Sequence, residues 1–394
     1  MIIRKLILWG SALLFSVGAN AQNGIEQVLQ SIEANNKVLL ANQKLTQAQQ
    51  LEVHTGKFLP NPSAEFEKMW GNKNNPGSEY EFVIKQSIDF PTTYGKRNKL
   101  AGMKADAIGF QYAAFRQELL LSAKQTCIEI VYLRKQQALL EKQLKNAKAL
   151  NIIYQKRLQK GDANQLETTK IQLEALGVQK QHRQNEVLLK TALEQLQMLN
   201  GGREIFFNDE EYIPEALLSL EELQAQYLSI DPTLRTLTEE QEIAQREVNL
   251  NRSLALPKID FGYKHSSAGD NISANGIVFG ISLPLFEHKN TVKRAKAQAA
   301  FASVAVEESR LRMGSELEQL YGQLLAISRV KEEYSSLLES QQSVELFNKA
   351  LEAKQLSIIE YFSELSTFYD SMQSYLEVEK EYHDLVAQLN RYKL

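Results

Sequence analysis

Residues 82–101 read FVIKQSIDFPTTYGKRNKLA, and halfway along the pattern changes kind. Phe82, Ile84, Ile88 and Phe90 alternate with Val83, Lys85, Ser87 and Asp89, the period of a strand with one apolar face. After Pro91 everything downstream favours helix. Residues 277–294, IVFGISLPLFEHKNTVKR, repeat the change: an alternating strand runs into a basic helix start.

The surrounding punctuation shows how long those helices can be. The eight prolines stand at positions 60, 62, 76, 91, 214, 232, 257 and 284, leaving none between 92 and 213 and none after 284. Proline inside a helix costs about 3 kcal/mol, so the gaps are where long helices can form. The spacing predicts a helix from about 94 to 160, a rod on the order of 100 Å at ~1.5 Å rise per residue. Lys160-Gly161-Asp162-Ala163-Asn164 is a turn-and-cap signal, with a return helix over about 163–200. The second half predicts a long helix over about 290–353 and a return helix over about 356–390. In that return helix Phe362, Leu365, Tyr369, Met372 and Leu376 step 3-4-3-4 as a coiled-coil seam does.

Two copies of one unit can be overlaid. Leu59-Pro60 and Leu256-Pro257 are 197 apart, as are Lys96-Arg97 and Lys293-Arg294, and Asn36–Leu39 precedes Pro232–Arg235 by 196. Such a register implies a tandem repeat, 22–200 and 221–394, joined by a connector at 201–220. Each unit reads helix, strand, strand, long helix, return helix.

The strands are expected at about 62–70, 79–90, 257–267 and 275–286. Tyr80, Phe82, Ile84, Ile88 and Phe90 share one face of the second; Ile277, Phe279, Ile281, Leu283 and Leu285 share one face of the fourth. Segments of about ten alternating residues match strands of outer-membrane barrels, with Tyr80, Phe82, Ile84, Ile277, Phe279 and Ile281 toward lipid. Packing of two hairpins on soluble helices is the competing reading. Four strands cannot close a barrel, because small barrels need about eight, so several chains must contribute. On this reading the strands span a membrane and the helices continue the tube into the periplasm.

Composition bounds the partners. The chain has 394 residues and a formal net charge of −3, without the basic excess of a nucleic-acid binder. Arg4 and Lys5, an apolar run from Leu6 to Val17 and Ala19-Asn20-Ala21 have the build of a secretory signal over 1–21, with maturation expected near Gln22; an N-terminal anchor is the alternative. The single cysteine, Cys127, can form no intramolecular disulfide and reads as a small buried helix residue. There is no nucleophile elbow, phosphate-binding glycine loop or HExxH, and His54, His182, His265, His288 and His383 lack metal-site spacing. No enzyme, cofactor or metal site is expected.

Taken in order, LSLEELQAQYLSIDPTLRTL (218–237), the Leu-Pro before the first strand of each unit, QSIDFPTTYGKRNKLAG (86–102) and YQKRLQKGDANQLETTKIQLEAL (154–176) resemble the TolC family of outer-membrane efflux proteins over essentially the whole mature chain. The strand-to-helix junction at 86–102 resembles the heavy-metal branch. The resemblance implies a mostly helical fold with a small β part, a homotrimer whose twelve strands form one barrel in the outer membrane, and a helical periplasmic tunnel. The implied partners are a periplasmic adaptor (membrane fusion) protein and an inner-membrane resistance-nodulation-division type pump. It further implies an adaptor-docking tip at Lys160, Gly161, Asp162 and Lys354, where Lys354 replaces the glycine of the family turn. The periplasmic gate acids fall on Glu167 and Glu360, with Ser363 at the family's second acid and Glu364 beside it; an exposed helix carboxylate is the competing reading of Glu360. Metal-cation export is the first functional reading and drug export the second. A periplasmic coiled-coil adaptor or scaffold is a third, disfavoured by the apolar strand faces.

Overall fold

The computed structural model describes residues 24–72, 75–268, 272–339 and 343–394; the expected signal segment, 1–21, lies outside them. Helices α1 (Gly24–Asn35) and α2 (Lys37–Thr55) lead to β1 (Ser63–Asn72) and β2 (Asn75–Ile88), then to α3 (Thr92–Lys160) and α4 (Gln165–Leu199). The same order follows in α5 (Leu220–Ile230), α6 (Pro232–Leu254), β3 (Lys258–Ala268), β4 (Ile272–Ser282), α7 (Thr291–Glu339), α8 (Ser343–Glu352) and α9 (Ile358–Leu389). The chain closes on a 3-10 turn, Arg391–Lys393.

Each unit opens with two helices rather than the single one read from the sequence. The break is a side-chain cap: Asn36 accepts the Leu39 amide at 2.8 Å and Asp231 accepts the Leu234 amide at 2.9 Å. An N-cap restarts a helix in a new direction, and Pro232, which lacks an N–H, suits the first helical position after Asp231.

The four strands form one antiparallel sheet in the order β1-β2-β3-β4, so β1 and β4 have open edges. Two strands stop earlier than their alternation suggested. β2 ends at Ile88, short of Phe90, and β4 ends at Ser282, so Leu283 and Leu285 fall in the turns before α7. The prolines at 91 and 284 cannot donate to a ladder, and pairing ends just before them.

The opening stretch makes its turn through a compact set of contacts. The Asp89 amide donates to the Tyr94 hydroxyl oxygen at 2.9 Å, and the Asp89 carboxylate pairs with the Arg97 guanidinium at 2.8 Å. Two residues of α3's first turns, Tyr94 and Arg97, thus clasp Asp89 just past β2, fixing the angle at which strand becomes helix.

α3 is 69 residues long, about 100 Å. Its middle carries one core: Leu120, Ala123, Cys127, Ile130, Val131 and Leu133 pack against Val28 and Ile32 of α1, Leu196 of α4 and Phe207 of the connector. A matching core joins Leu223 and Tyr227 of α5, Met313, Leu317 and Leu324 of α7, and Leu385, Val386 and Leu389 of α9. Burial pushes the Cys127 thiol up to about 12, which keeps it protonated and unreactive.

The connector is held along α3 by charge. Arg134 donates to the carbonyls of Phe207 and Asp209, Lys124 pairs with Glu215 at 2.6 Å, and Lys135 bridges Glu211 at 2.5 Å and Glu379 of α9 at 2.9 Å. Lys135 therefore ties both repeats together. In the second core the fully buried Tyr227 donates its hydroxyl to the carbonyls of Gln388 and Leu389, at 3.0 and 3.2 Å. Tyr227→Phe keeps the packing and orphans those carbonyls, so it should cost about 1–3 kcal/mol, read as a lowered thermal unfolding midpoint.

Candidate functional site

Directly opposed residues of an antiparallel pair point to the same side, so the register sorts the sheet into two faces. From the helix end outward, one face carries the rows Ile88, Ile259, Ile281; then Gln86, Phe261, Phe279; then Ala64, Ile84, Tyr263, Ile277; then Phe66, Phe82, His265, Asn275. Beyond these come Lys68, Tyr80, Ser267, Ser273, and finally Trp70 with Ser78. Tyr80, Phe82, Ile84, Ile277, Phe279 and Ile281 thus lie on one surface. Phe66, Trp70, Phe261 and Tyr263 join them; β1 and β3 carry the same alternation, so the signal was present in the sequence. Rings meet laterally, Phe261 edge-on to Phe279 at 5.3 Å and Phe66 tilted against Tyr80 at 6.2 Å between centroids.

No helix among the described residues covers this surface: Ile277 is 88% exposed and Trp70 77%. A contiguous apolar patch open to water is costly, and it marks a surface made for lipid or protein.

The other face is polar. It holds Glu65 and Glu67 of β1, Glu79, Glu81 and Lys85 of β2, and Lys258, Asp260 and Lys264 of β3, while β4 offers Ala274, Gly276, Val278, Gly280 and Ser282. Lys264 pairs with Glu81 at 2.5 Å and Lys85 approaches Glu65 at 4.0 Å. Five carboxylates against three lysines leave this side acidic.

Far from the sheet, the two helical hairpins end together. Leu150 and Tyr154 of α3 and Ile171 of α4 pack against Leu351 of α8 and Ile358, Tyr361, Phe362 and Leu365 of α9. Under that cluster is a closed ring of hydrogen bonds. Asn146 Nδ2 donates to Tyr361 Oη at 2.9 Å, Tyr361 Oη to Asn348 Oδ1 at 2.7 Å, and Asn348 Nδ2 to Asn146 Oδ1 at 3.4 Å. Burial raises the Tyr361 pKa, so the hydroxyl remains a donor. Sequence reasoning missed this ring, since nothing in the chain links Asn146 to a tyrosine 215 positions away.

The expected tip residues Lys160, Gly161, Asp162 and Lys354 are all exposed on the two hairpin turns. Gly161 (φ 78°) and Lys354 (φ 58°) both take the left-handed backbone. The bonds match as well: Gly161 N to Leu158 O and Asp162 N to Arg157 O, against Lys354 N to Leu351 O and Gln355 N to Ala350 O, all within 2.8–3.1 Å. Both turns are therefore Schellman motifs, and the replacement of glycine by Lys354 leaves the geometry unchanged at a conformational cost.

The acids expected at a gate sit just past these turns. Glu167 closes a capping box with Asn164, and Glu360 closes one with Ser357. The Ser357 backbone N–H, then its hydroxyl, hold the Glu360 carboxyl below its ordinary value. Glu360, Ser363 and Glu364 share the exposed face of α9, opposite the buried Tyr361, Phe362 and Leu365. Among the described residues, no group of three or more His, Cys, Asp or Glu could hold a metal ion, and no helix is long and apolar enough to cross a membrane.

Lys354→Gly should relieve the left-handed strain and stabilise the second hairpin by about 0.5–1 kcal/mol, whereas Lys354→Ala, which shares that strain, should bring no such gain. Thermal unfolding midpoints distinguish the two. Tyr361→Phe should leave both asparagines half-satisfied and loosen the hairpin ends, speeding hydrogen exchange of amides 344–365 about tenfold over wild type.

No protein-family model and no curated protein sequence matches the chain. Solved structures match it closely in shape. The outer membrane protein VceC of Vibrio cholerae superposes with a TM-score of 0.75 at 11% identity, over 93% of this chain and 94% of that one. The CmeC outer membrane channel of Campylobacter jejuni gives 0.71 at 15% identity, over 94% and 85%. The open-state MtrE outer membrane channel of Neisseria gonorrhoeae gives 0.68 at 13% identity, over 93% and 88%. The chain, with its two-faced four-stranded sheet set on long paired hairpins, therefore has the fold of these outer-membrane channel proteins along nearly its whole length.

Proposed function

We propose that the chain is one subunit of a homotrimeric outer-membrane channel, the passive exit duct of a tripartite exporter whose other parts are a periplasmic adaptor and an inner-membrane pump. The observation that carries this reading is the sheet: one broad face is apolar and exposed, the other is acidic, and both edge strands are open. Three copies pairing β1 to β4 make twelve strands, enough to enclose a water-filled lumen. The apolar face then meets lipid, the acidic face lines the lumen, and α3 with its neighbours carries the tunnel on into the periplasm. An adaptor or scaffold of the same long hairpins has no use for such a face. The shape shared with VceC, CmeC and MtrE supports the channel reading.

For the cargo we propose a metal cation, with small organic molecules as the second reading. The resemblance of 86–102 to the heavy-metal branch favours it. So does the excess of carboxylates on the lumenal face, which three copies would multiply into a field attracting cations. The hairpin ends, with Lys160, Gly161, Asp162 and Lys354 outermost, are the proposed docking surface for the adaptor. Glu360 and Glu364, and Glu167 at the equivalent place, are the proposed constriction, where three copies of each would converge.

The capping boxes make the test of that constriction clean. Gln can replace Glu at the third position of a capping box, so Glu167→Gln and Glu360→Gln remove charge with little loss of helix. Wild-type protein should fractionate with the outer membrane as a trimer and conduct with cation preference when reconstituted; the doubly substituted protein should lose much of that preference and of its block by multivalent cations. A monomer recovered from the soluble periplasm would overturn the channel reading, and unchanged selectivity would leave these glutamates as caps only. Ile84→Arg, at mid-membrane, should cost about 2–4 kcal/mol and prevent assembly, whereas Lys85→Gln on the lumenal face should be tolerated.

A further inference from the structure

We propose that Lys68, between the rings of Tyr80 and Trp70, binds the phosphate of an anionic lipid headgroup at the outer rim of the sheet. The proposal rests on the reading of the sheet as a membrane-spanning element. It starts from a segregation of charge. Among the described side chains of the sheet, Lys68 is the one Lys, Arg, Asp or Glu on the apolar face, and every strand carboxylate lies on the other side. No ion pair of Lys68 is present among the described residues, whereas Lys85, Lys258 and Lys264 each meet a carboxylate. An uncompensated cation on a lipid-facing surface must find its anion in the surroundings or be withdrawn to water.

Its height decides what those surroundings are. The row of Lys68 and Tyr80 lies four rows outward from that of Ile88, Ile259 and Ile281. Four rows of two residues span about 27 Å along a strand, or about 20 Å along the membrane normal at the usual barrel tilt. With an apolar band about 25 Å tall, that brings Lys68 to the outer edge of the hydrocarbon, where lipid phosphates begin. Side-chain chemistry shifts toward the same height: the rows below are mainly Ile, Phe and Tyr, with Gln86, His265 and Asn275 among them, and those alongside and beyond carry Ser267, Ser273 and Ser78.

The local geometry holds the ammonium for a ligand outside the protein. Lys68 Nζ stands 5.1 Å from the centre of the Tyr80 ring and 5.5 Å from that of Trp70. Cation–π contact positions the charge and does not neutralise it. An ammonium has three N–H donors to offer phosphate oxygens. The flanking rings offer an apolar wall to the acyl chains and a polar tip to the headgroup, as aromatic residues do at membrane interfaces.

The test uses detergent-purified protein mixed with lipid A, a bisphosphorylated glycolipid, or with uncharged diacylglycerol. Bound lipid is counted by native mass spectrometry. Wild type should retain lipid A in preference to diacylglycerol, and Lys68→Gln should weaken that retention about fivefold, the factor one cation is worth beside an anionic surface. Lys68→Arg should keep it, Tyr80→Leu should weaken it by removing the ring that positions the ammonium, and Lys264→Gln, on the polar face, should leave it unchanged. Equal retention by wild type and Lys68→Gln would overturn the proposal, as would wild type binding diacylglycerol as well as lipid A. Should Lys68→Gln fail to assemble, Tyr80→Leu decides in the same assay, where undiminished retention counts against the site. Failure of the membrane-spanning reading would be seen separately, as wild-type protein absent from the outer-membrane fraction.

Discussion

The separation of an apolar face from a polar, acidic one across four short strands creates a demand that one chain cannot meet. Among the described residues no helix lies over the apolar face, and the edges of β1 and β4 present unpaired backbone groups. Hydrophobic burial and backbone hydrogen bonding must both be completed from outside, the first by an apolar medium or a partner surface and the second by another strand. A four-stranded sheet with open edges answers both needs when copies of itself close the ring. Everything else follows from that geometry: the helices leave the same end of the sheet, and the Asp89, Tyr94 and Arg97 contacts set the angle at which they do so.

Stability is built elsewhere. The two large cores lie at mid-length of the long helices, each centred on the entry helix of its repeat, and the connector's Glu215 and Glu211 are held by Lys124 and Lys135 of α3, both largely withdrawn from solvent. The Lys135 ammonium with Glu211 and Glu379 is the sharpest of these, because removing one partner would leave a charge in a poorly solvated place. Such a girdle holds the helices where they diverge toward sheet and tip, so either end can differ in detail without loosening the middle.

At the tip the residues proposed for the constriction also build the local fold. Glu167 and Glu360 are drawn back onto their own backbones by capping boxes, and the Asn146, Tyr361 and Asn348 ring joins the hairpin ends beneath them. A carboxylate engaged in its cap is held in place as well as charged. For Glu360 the cap lowers the pKa within one chain, while like charges gathered by symmetry at the proposed constriction would raise it.

The local chemistry of the sequence was enough to determine the class of fold. Period-2 alternation at Tyr80–Ile84 and Ile277–Ile281, the absence of proline from 92 to 213, and the glycine turn at 161 are all properties of neighbours in the chain, and they specify a mostly helical protein with a small sheet and paired hairpins. Which residues share a face was also legible, since side-chain direction in a strand depends on parity alone. Cross-strand pairing was not: that Lys68 lies beside Tyr80 while Lys264 meets Glu81 depends on register, which the turns and the bulge near Trp70 set. The split of each entry helix at Asn36 and Asp231, and the left-handed backbone at Lys354, went unread because a cap or an unfavourable conformation is decided by the contacts that surround it. Only the tertiary structure could bring Asn146, Asn348 and Tyr361 into one ring, or Lys135 between Glu211 and Glu379, because residues so far apart in sequence meet only when long helices pack in a particular register.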